Sequence, residues 1–296
     1  MVLEHTSSID SLSDEELYRL IDGVSRDRVQ TIGHVPFIDG RIHAPVWRIA
    51  PDAVAKVSRG QSEAYTMQLV RDNTSIPVPT IRRVLPDRRS TTGCYWIVMD
   101  YIEGSTLLDL WDTLTDERKH SIIDVLARYV RELQGVRLPN PSVPGPLHPD
   151  GKPVKCNASF FSDDNAGPFS SYQEMTDCLT PPILSSCHMD IHPRNILIDK
   201  VGTPWLVDWG AAGVYPTWFE YAAIAVSVKA DYRLAAVPAW KDLVANASTI
   251  AGDYARYYEG YLLVLFSSAN GLNFDALAEE IDFPDDYFEK LGMVVD

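Results

Sequence analysis

The stretch CHMDIHPRNILIDKVGTPWLVDWG, residues 187–210, leaves the chain little freedom in how it folds. Two short apolar runs, NILID (195–199) and PWLVDW (204–209), flank a turn containing Gly202 and read as a β-hairpin. A hairpin brings its two ends together, so Asn195 and Asp208 come to one end although thirteen residues separate them. His188, Asp190, His192 and Arg194 crowd the segment just before it. Whatever surrounds the hairpin must accommodate that polar end.

Upstream, Ser13 with Glu16 three residues on forms a capping box, and Leu17, Leu20 and Ile21 follow on one face of an N-terminal helix. Residues 30–57 turn strand-like, with Pro51-Asp52 as a turn between two short strands. QSEAYTMQLVRD (61–72) reads as a helix, stopped by SIPVP because X-Pro units favour extended backbone. Strands are expected around Thr80–Leu85 and Tyr95–Ile102. The remainder is helical and larger. Ile122, Leu126, Tyr129, Val130 and Leu133 recur at helical spacing within 116–134, and Gly135 is placed to end that helix. Residues 137–186 are irregular and rich in Pro, Ser, Asn and Gly, and so long a loop within a compact domain is expected to be functional or mobile. Helices are expected at 216–229, 238–266 and 273–281. Two lobes result: 1–101, strand-rich with one internal helix, and 102–296, mainly helical.

Composition narrows the function classes. With 41 Asp+Glu against 26 Lys+Arg, the net charge is −15. An acidic surface cannot displace counterions from phosphates, so nucleic acid is excluded as a partner, and so is an anionic membrane surface. No run approaches the roughly 18 apolar residues of a membrane span. The polar, acidic start lacks the pattern of a signal peptide. Cys94, Cys156, Cys178 and Cys187 show no zinc-like spacing. A reduced, cytoplasmic protein is expected.

Phosphoryl transfer from ATP needs a carboxylate to orient an acceptor hydroxyl and take its proton, and metal ions to offset the phosphate charge. Hard Mg²⁺ prefers oxygen donors. Asp190, Asn195 five residues later and Asp208 across the hairpin supply that set, with Asp190 as base and Asn195 and Asp208 on the metal.

HMDIHPRN (188–195) followed by DWG (208–210) resembles the catalytic loop and metal-binding signature of the aminoglycoside phosphotransferase family, small-molecule relatives of protein kinases. The resemblance runs in order over roughly residues 45–225, including NTSIPVP (73–79), IVMDYIEG (97–104) and AGVYPTWFEY (212–221). It implies an α+β, two-lobed protein-kinase-like fold, a small antiparallel-sheet lobe above a larger helical one. It implies ATP (or GTP) and Mg²⁺ as cofactors, and a small-molecule acceptor. It makes Lys56 the phosphate-binding lysine and Glu63 its ion-pair partner, and sets the backbone near Asp100 and Ile102 against the adenine. His192 stands where many protein kinases have a phosphate-contacting lysine, and divides between phosphate contact and loop packing.

Two departures stand out. No G-x-G-x-x-G precedes Lys56, and Met189 occupies a position where the family commonly has glycine. His188 is read as supporting the loop, Glu220 as anchoring its segment, and Trp205, Trp209 and Trp218 as core or wall. Two alternatives accompany the kinase reading. A nucleotide-binding pseudokinase would keep the same side chains without turnover. A metal-dependent hydrolase would use His188, Asp190, His192 and Asp208, but leaves Lys56, Glu63 and Asn195 without a role.

Overall fold

The computed structural model describes residues 9–27, 46–138, 143–156, 168, 170–171, 184–230 and 237–255. The strand-like pattern before 46, most of the irregular 137–186 stretch, Cys178 and the helical patterns beyond 255 lie outside the described residues. Among those described, no helix is long and apolar enough to cross a membrane.

The N-terminal helix α1 (Asp14–Asp27) starts at the expected capping box. Ser13 N–H donates to Glu16 Oε2 at 2.8 Å, and Glu16 N–H donates back to Ser13 Oγ at 3.4 Å. Leu17 and Ile21, four apart, are buried, whereas Leu20 is rotated off that stripe and stays exposed. The stripe rests on an antiparallel sheet of β1 (Val46–Ala50), β2 (Ala53–Ser58), β3 (Ile81–Pro86) and β4 (Tyr95–Asp100), ordered β1-β2-β4-β3. Helix α2 (Ser62–Asn73) connects β2 to β3 and covers the other face. Strand alternation sorts the side chains. Ala53, Ala55, Trp96 and Val98 join Leu17 and Ile21 in the outer core. Val54, Ile97 and Met99 join Met67 and Val70 of α2 in the larger core. Lys56 shares the parity of Val54, so it points to the α2 side.

β4 ends at Asp100, two residues earlier than expected, because Tyr101 N–H turns to the β1–β2 turn and donates to Asp52 O. The chain then forms a short strand that the sequence did not show, β5 (Gly104–Thr106), and enters α3 (Leu107–Leu110) and α4 (Asp116–Gln134). Gly104 is required where it stands: a Cβ there would lie 2.3 Å from the Ile198 carbonyl oxygen. Helix α4 is capped by Thr115 and buries its expected stripe.

β6 (Leu184–Cys187) leads into the polar segment, and the hairpin follows as β7 (Ile196–Asp199) and β8 (Pro204–Leu206). β5, β7 and β8 form one three-stranded sheet, while β6 pairs with β9 (Gly213–Pro216). Residue 216 therefore ends a strand, and helix α5 begins only at Phe219 (Phe219–Ala230). The expected 238–266 helix is broken into α6 (Pro238–Ala245) and α7 (Ala247–Ala251), stopped by Gly252 at φ +103°. The architecture is α+β and two-lobed, and one continuous apolar core runs from the underside of the upper sheet through α2 to α4 and the hairpin.

Candidate active site

The pairing of β2 with β4 leaves Lys56 facing inward, and the first turn of α2 brings Glu63 beneath it. Lys56 Nζ is 2.6 Å from Glu63 Oε1 and 2.6 Å from Asp208 Oδ1. Lysine and glutamate are each only 4% exposed, whereas the Asp208 side chain keeps 36%. Burial opposes the Lys56 charge, but Asp208 and Glu63 together hold its pKa above the ordinary lysine value. Burial pushes the Glu63 carboxyl up, against the pull of Lys56. Burial acts on Asp208 in the same direction but loses to Lys56, so its carboxyl lies below the usual value. Asp208 sits at φ +62°, one of two non-glycine residues with positive φ among those described. That backbone shape turns its carboxylate toward the lysine of the other lobe.

Asp190 follows β6. Its carboxylate accepts from Asn195 Nδ2 at 2.7 Å and lies 3.4 Å from His192 Nε2. Burial raises its pKa, but His192, His188 and Asn195 together bring the carboxyl down to about 2. Val207 N–H donates to Asn195 O at 3.0 Å, extending the β7–β8 ladder, so Asn195 and Asp208 are diagonal neighbours across the hairpin. Asp190 and Asp208 are close enough for each charge to act on the other. His188 is fully buried against Trp209, with ring centroids 4.4 Å apart. Burial pushes its imidazole down to about 4, so it is neutral at ordinary pH. His192 stacks on Trp240 of α6, with ring centroids 5.3 Å apart.

Residues 38–259 match the sequence profile of the phosphotransferase enzyme family, APH. The chain belongs to this family. A curated relative, the clavilactone A biosynthesis cluster protein Y of Ampulloclitocybe clavipes, is 24% identical over 56% of this chain and 54% of its own length. The chain thus spans about half the length of that relative. Among solved structures, aminoglycoside phosphotransferase APH(4)-Ia is 15% identical, with TM-score 0.51 over 87% of this chain and 94% of its own. A thermostable mutant of the same enzyme, in ternary complex with ADP and hygromycin B, gives 15% identity and TM-score 0.52 over 87% and 92%. These two likenesses concern the fold, which is that of a two-lobed kinase.

In this phosphotransferase-family chain, the sequence-derived residues fall into three groups. Lys56, Glu63 and Asp208 are linked directly, and Asp190, His192 and Asn195 form a second set beside them. Asp100 and Ile102 lie apart, where the upper sheet meets the lower lobe. Asp100 N–H donates to Thr80 O, and its carboxylate accepts from Thr80 N–H and from Arg82 Nε. Its side chain is therefore structural, bracing this crossing together with the Arg82–Asp52 pair at 2.7 Å. Ile102 is half-buried in the connector before β5.

The donor set suits magnesium. Asn195 uses its NH₂ on the Asp190 carboxylate and carbonyl, which turns its amide oxygen away from Asp190. One amide oxygen and one half-exposed carboxylate are hard donors, few enough to leave room for water and phosphate oxygens. Among the described residues, no group of three or more His, Cys, Asp or Glu is arranged to hold a metal.

Two further residues shape the loop. Glu220 accepts hydrogen bonds from His188 and Met189 N–H, which gives the expected anchoring role its geometry. Trp240 was not legible as part of this region. It lies under His192 and also under the Arg194 guanidinium, 4.7 Å from the ring centroid. Nothing in the sequence links position 240 to the loop, because a helix of the lower lobe carries it there.

Proposed function

We propose that this chain is a small-molecule kinase that transfers the γ-phosphoryl group of ATP to a hydroxyl of a small-molecule acceptor. One observation carries the reading: Lys56 bridges Glu63 and Asp208 across the two lobes, directly beside the Asp190–Asn195 pair. Family membership and the ADP and hygromycin B bound to a solved relative support it.

Lys56, held by Glu63, orients the α- and β-phosphates in the cleft between residues 1–101 and 102–296. Asn195 and Asp208 would hold Mg²⁺, which would supply charge neutralisation at the phosphate oxygens. Asp190, ionised because its carboxyl titrates near about 2, accepts a hydrogen bond from the acceptor hydroxyl and takes its proton late in the transfer. His192 lies between the Asp190 carboxylate and the Trp240 ring, and we assign it to orienting that carboxylate beside the phosphate. Catalysis is then mainly placement and electrostatic stabilisation.

The test compares two variants. Asp190→Ala should lower turnover by about 10²–10⁴-fold with nucleotide binding retained. Asp208→Ala should lose turnover and magnesium-dependent nucleotide binding together. Unimpaired turnover in Asp190→Ala, over a library of small alcohols, would refute the assignment.

A further inference from the structure

We infer that Trp240 is a positioning residue for phosphoryl transfer: its indole face fixes the His192 ring and, through that ring, the Asp190 carboxylate. The inference rests on the kinase reading above.

A histidine that serves a neighbouring group through one ring nitrogen is usually held by a hydrogen bond at the other. His192 lacks that second hold. Its Nε2 lies 3.4 Å from Asp190 Oδ1, whereas its Nδ1 is buried with no hydrogen-bond partner among the described residues. A ring bonded at one nitrogen alone can turn about that contact unless its faces are packed. Trp240 packs one of them. The two ring centroids are 5.3 Å apart and the planes differ by 26°, a stacked pair. Shape therefore does at His192 what a hydrogen bond does elsewhere.

Trp240 is a firm wall. It is 2% exposed and stands near the start of α6, whose Ala239 and Leu243 are buried with it. Trp111, directly after α3, donates its indole N–H to Asp242 Oδ2 of α6 at 2.8 Å. Leu108 of α3 donates its N–H to Pro193 O at 3.0 Å. The paired α3 and α6 thus carry both the backbone next to His192 and the ring on which His192 rests. The Arg194 guanidinium also lies over that ring, but of the two side chains His192 is the one beside the Asp190 carboxylate. Trp240 Nε1 is buried with no hydrogen-bond partner among the described residues, so this side chain offers its face and not its N–H.

Three outcomes separate this role from bulk packing. Trp240→Leu removes the aromatic face and should lower turnover about tenfold to a hundredfold, the scale of misplacing a reacting group by up to about 1 Å. The KM for nucleotide should be retained, because Lys56 and Asp208 are untouched. Trp240→Phe keeps an aromatic face and drops only an unpartnered N–H, so it should turn over within about threefold of wild type. In a His192→Ala background, Trp240→Leu should cost no further turnover, because the route to Asp190 is already gone.

Proton NMR adds a readout that needs no turnover. The Trp240 ring current should displace the His192 imidazole resonances, assigned by their loss in His192→Ala, and Trp240→Leu should return them to ordinary positions. Wild-type turnover in Trp240→Leu would overturn the inference, as would a loss of equal size with and without His192, or a Trp240→Phe variant as slow as Trp240→Leu. Undisplaced His192 resonances in the wild type would overturn it too, whether or not either variant folds. Absence of turnover on every acceptor would fault the kinase reading, and the ring-current displacement would still decide whether Trp240 holds His192.

Discussion

Replacing Lys56 by methionine removes the charge but keeps most of the stem's bulk, so it isolates what the lysine does electrostatically. It leaves Glu63, 4% exposed, beside the like charge of Asp208 and without its partner at 2.6 Å. A buried carboxylate in that position responds by taking up a proton. In the unfolded chain the same glutamate titrates near 4.5. Keeping it protonated in the fold therefore costs about 1.4 kcal/mol for each pH unit above that value, or about 3.4 kcal/mol at pH 7 and about 0.7 kcal/mol at pH 5. The sign follows from proton counting: the unfolded state binds fewer protons, so stability falls as pH rises. The wild-type carboxyl is itself pushed up by burial, although Lys56 opposes this. The extra loss in Lys56→Met between pH 5 and pH 7 is therefore up to about 2.7 kcal/mol. Urea denaturation of both proteins at the two pH values measures it, and adding Glu63→Gln should abolish the pH dependence. A destabilisation of equal size at pH 5 and pH 7 would refute the buried pairing.

Other consequences follow from the same geometry. Gly104→Ala should destabilise the protein by about 1–3 kcal/mol, read as a lowered thermal midpoint, because the new Cβ meets the Ile198 carbonyl at 2.3 Å. In native thiol labelling, half-buried Cys94 should react, while Cys156 and Cys187 resist until the chain unfolds. Burial pushes the Cys156 thiol up to about 12 and Cys187 well above its ordinary value. The Asp190→Ala and Asp208→Ala comparison should separate the two carboxylates by nucleotide-binding calorimetry, since only Asp208 is expected to hold the metal. The raised Glu220 carboxyl binds a proton that the unfolded chain has lost, so its contribution to stability falls between the ordinary carboxylate range and about pH 7. Urea melts across that window should show the slope reduced in Glu220→Gln.

The site was more legible in the sequence than much of the fold around it. Asp190, Asn195 and Asp208 could be grouped because a hairpin fixes which residues meet, and the observed β7–β8 ladder continues through Val207 and Asn195. Helix α1 was readable because a capping box is a local hydrogen-bond pattern, complete within four residues. The strand β9 and the break between α6 and α7 were not. Val214 and Tyr215 join a strand only because β6 lies alongside, and the chain around Asn246 carries enough apolar residues to pass for one continuous helix.

The chain by itself determined the chemistry within reach: which oxygen donors stand at which spacing, where helices start, and which strand residue faces inward. Those are short-range properties, set by side-chain type and by backbone periods of two and 3.6 residues. The tertiary structure alone decided which distant groups share a charge or a ring. It set Lys56 against Asp208 over 152 positions, His192 against Trp240, and Glu220 beneath the two amides that precede Asp190. It also turned Glu220 from one acidic residue among 41 into a buried carboxyl, because a pKa is governed by the surroundings that packing creates.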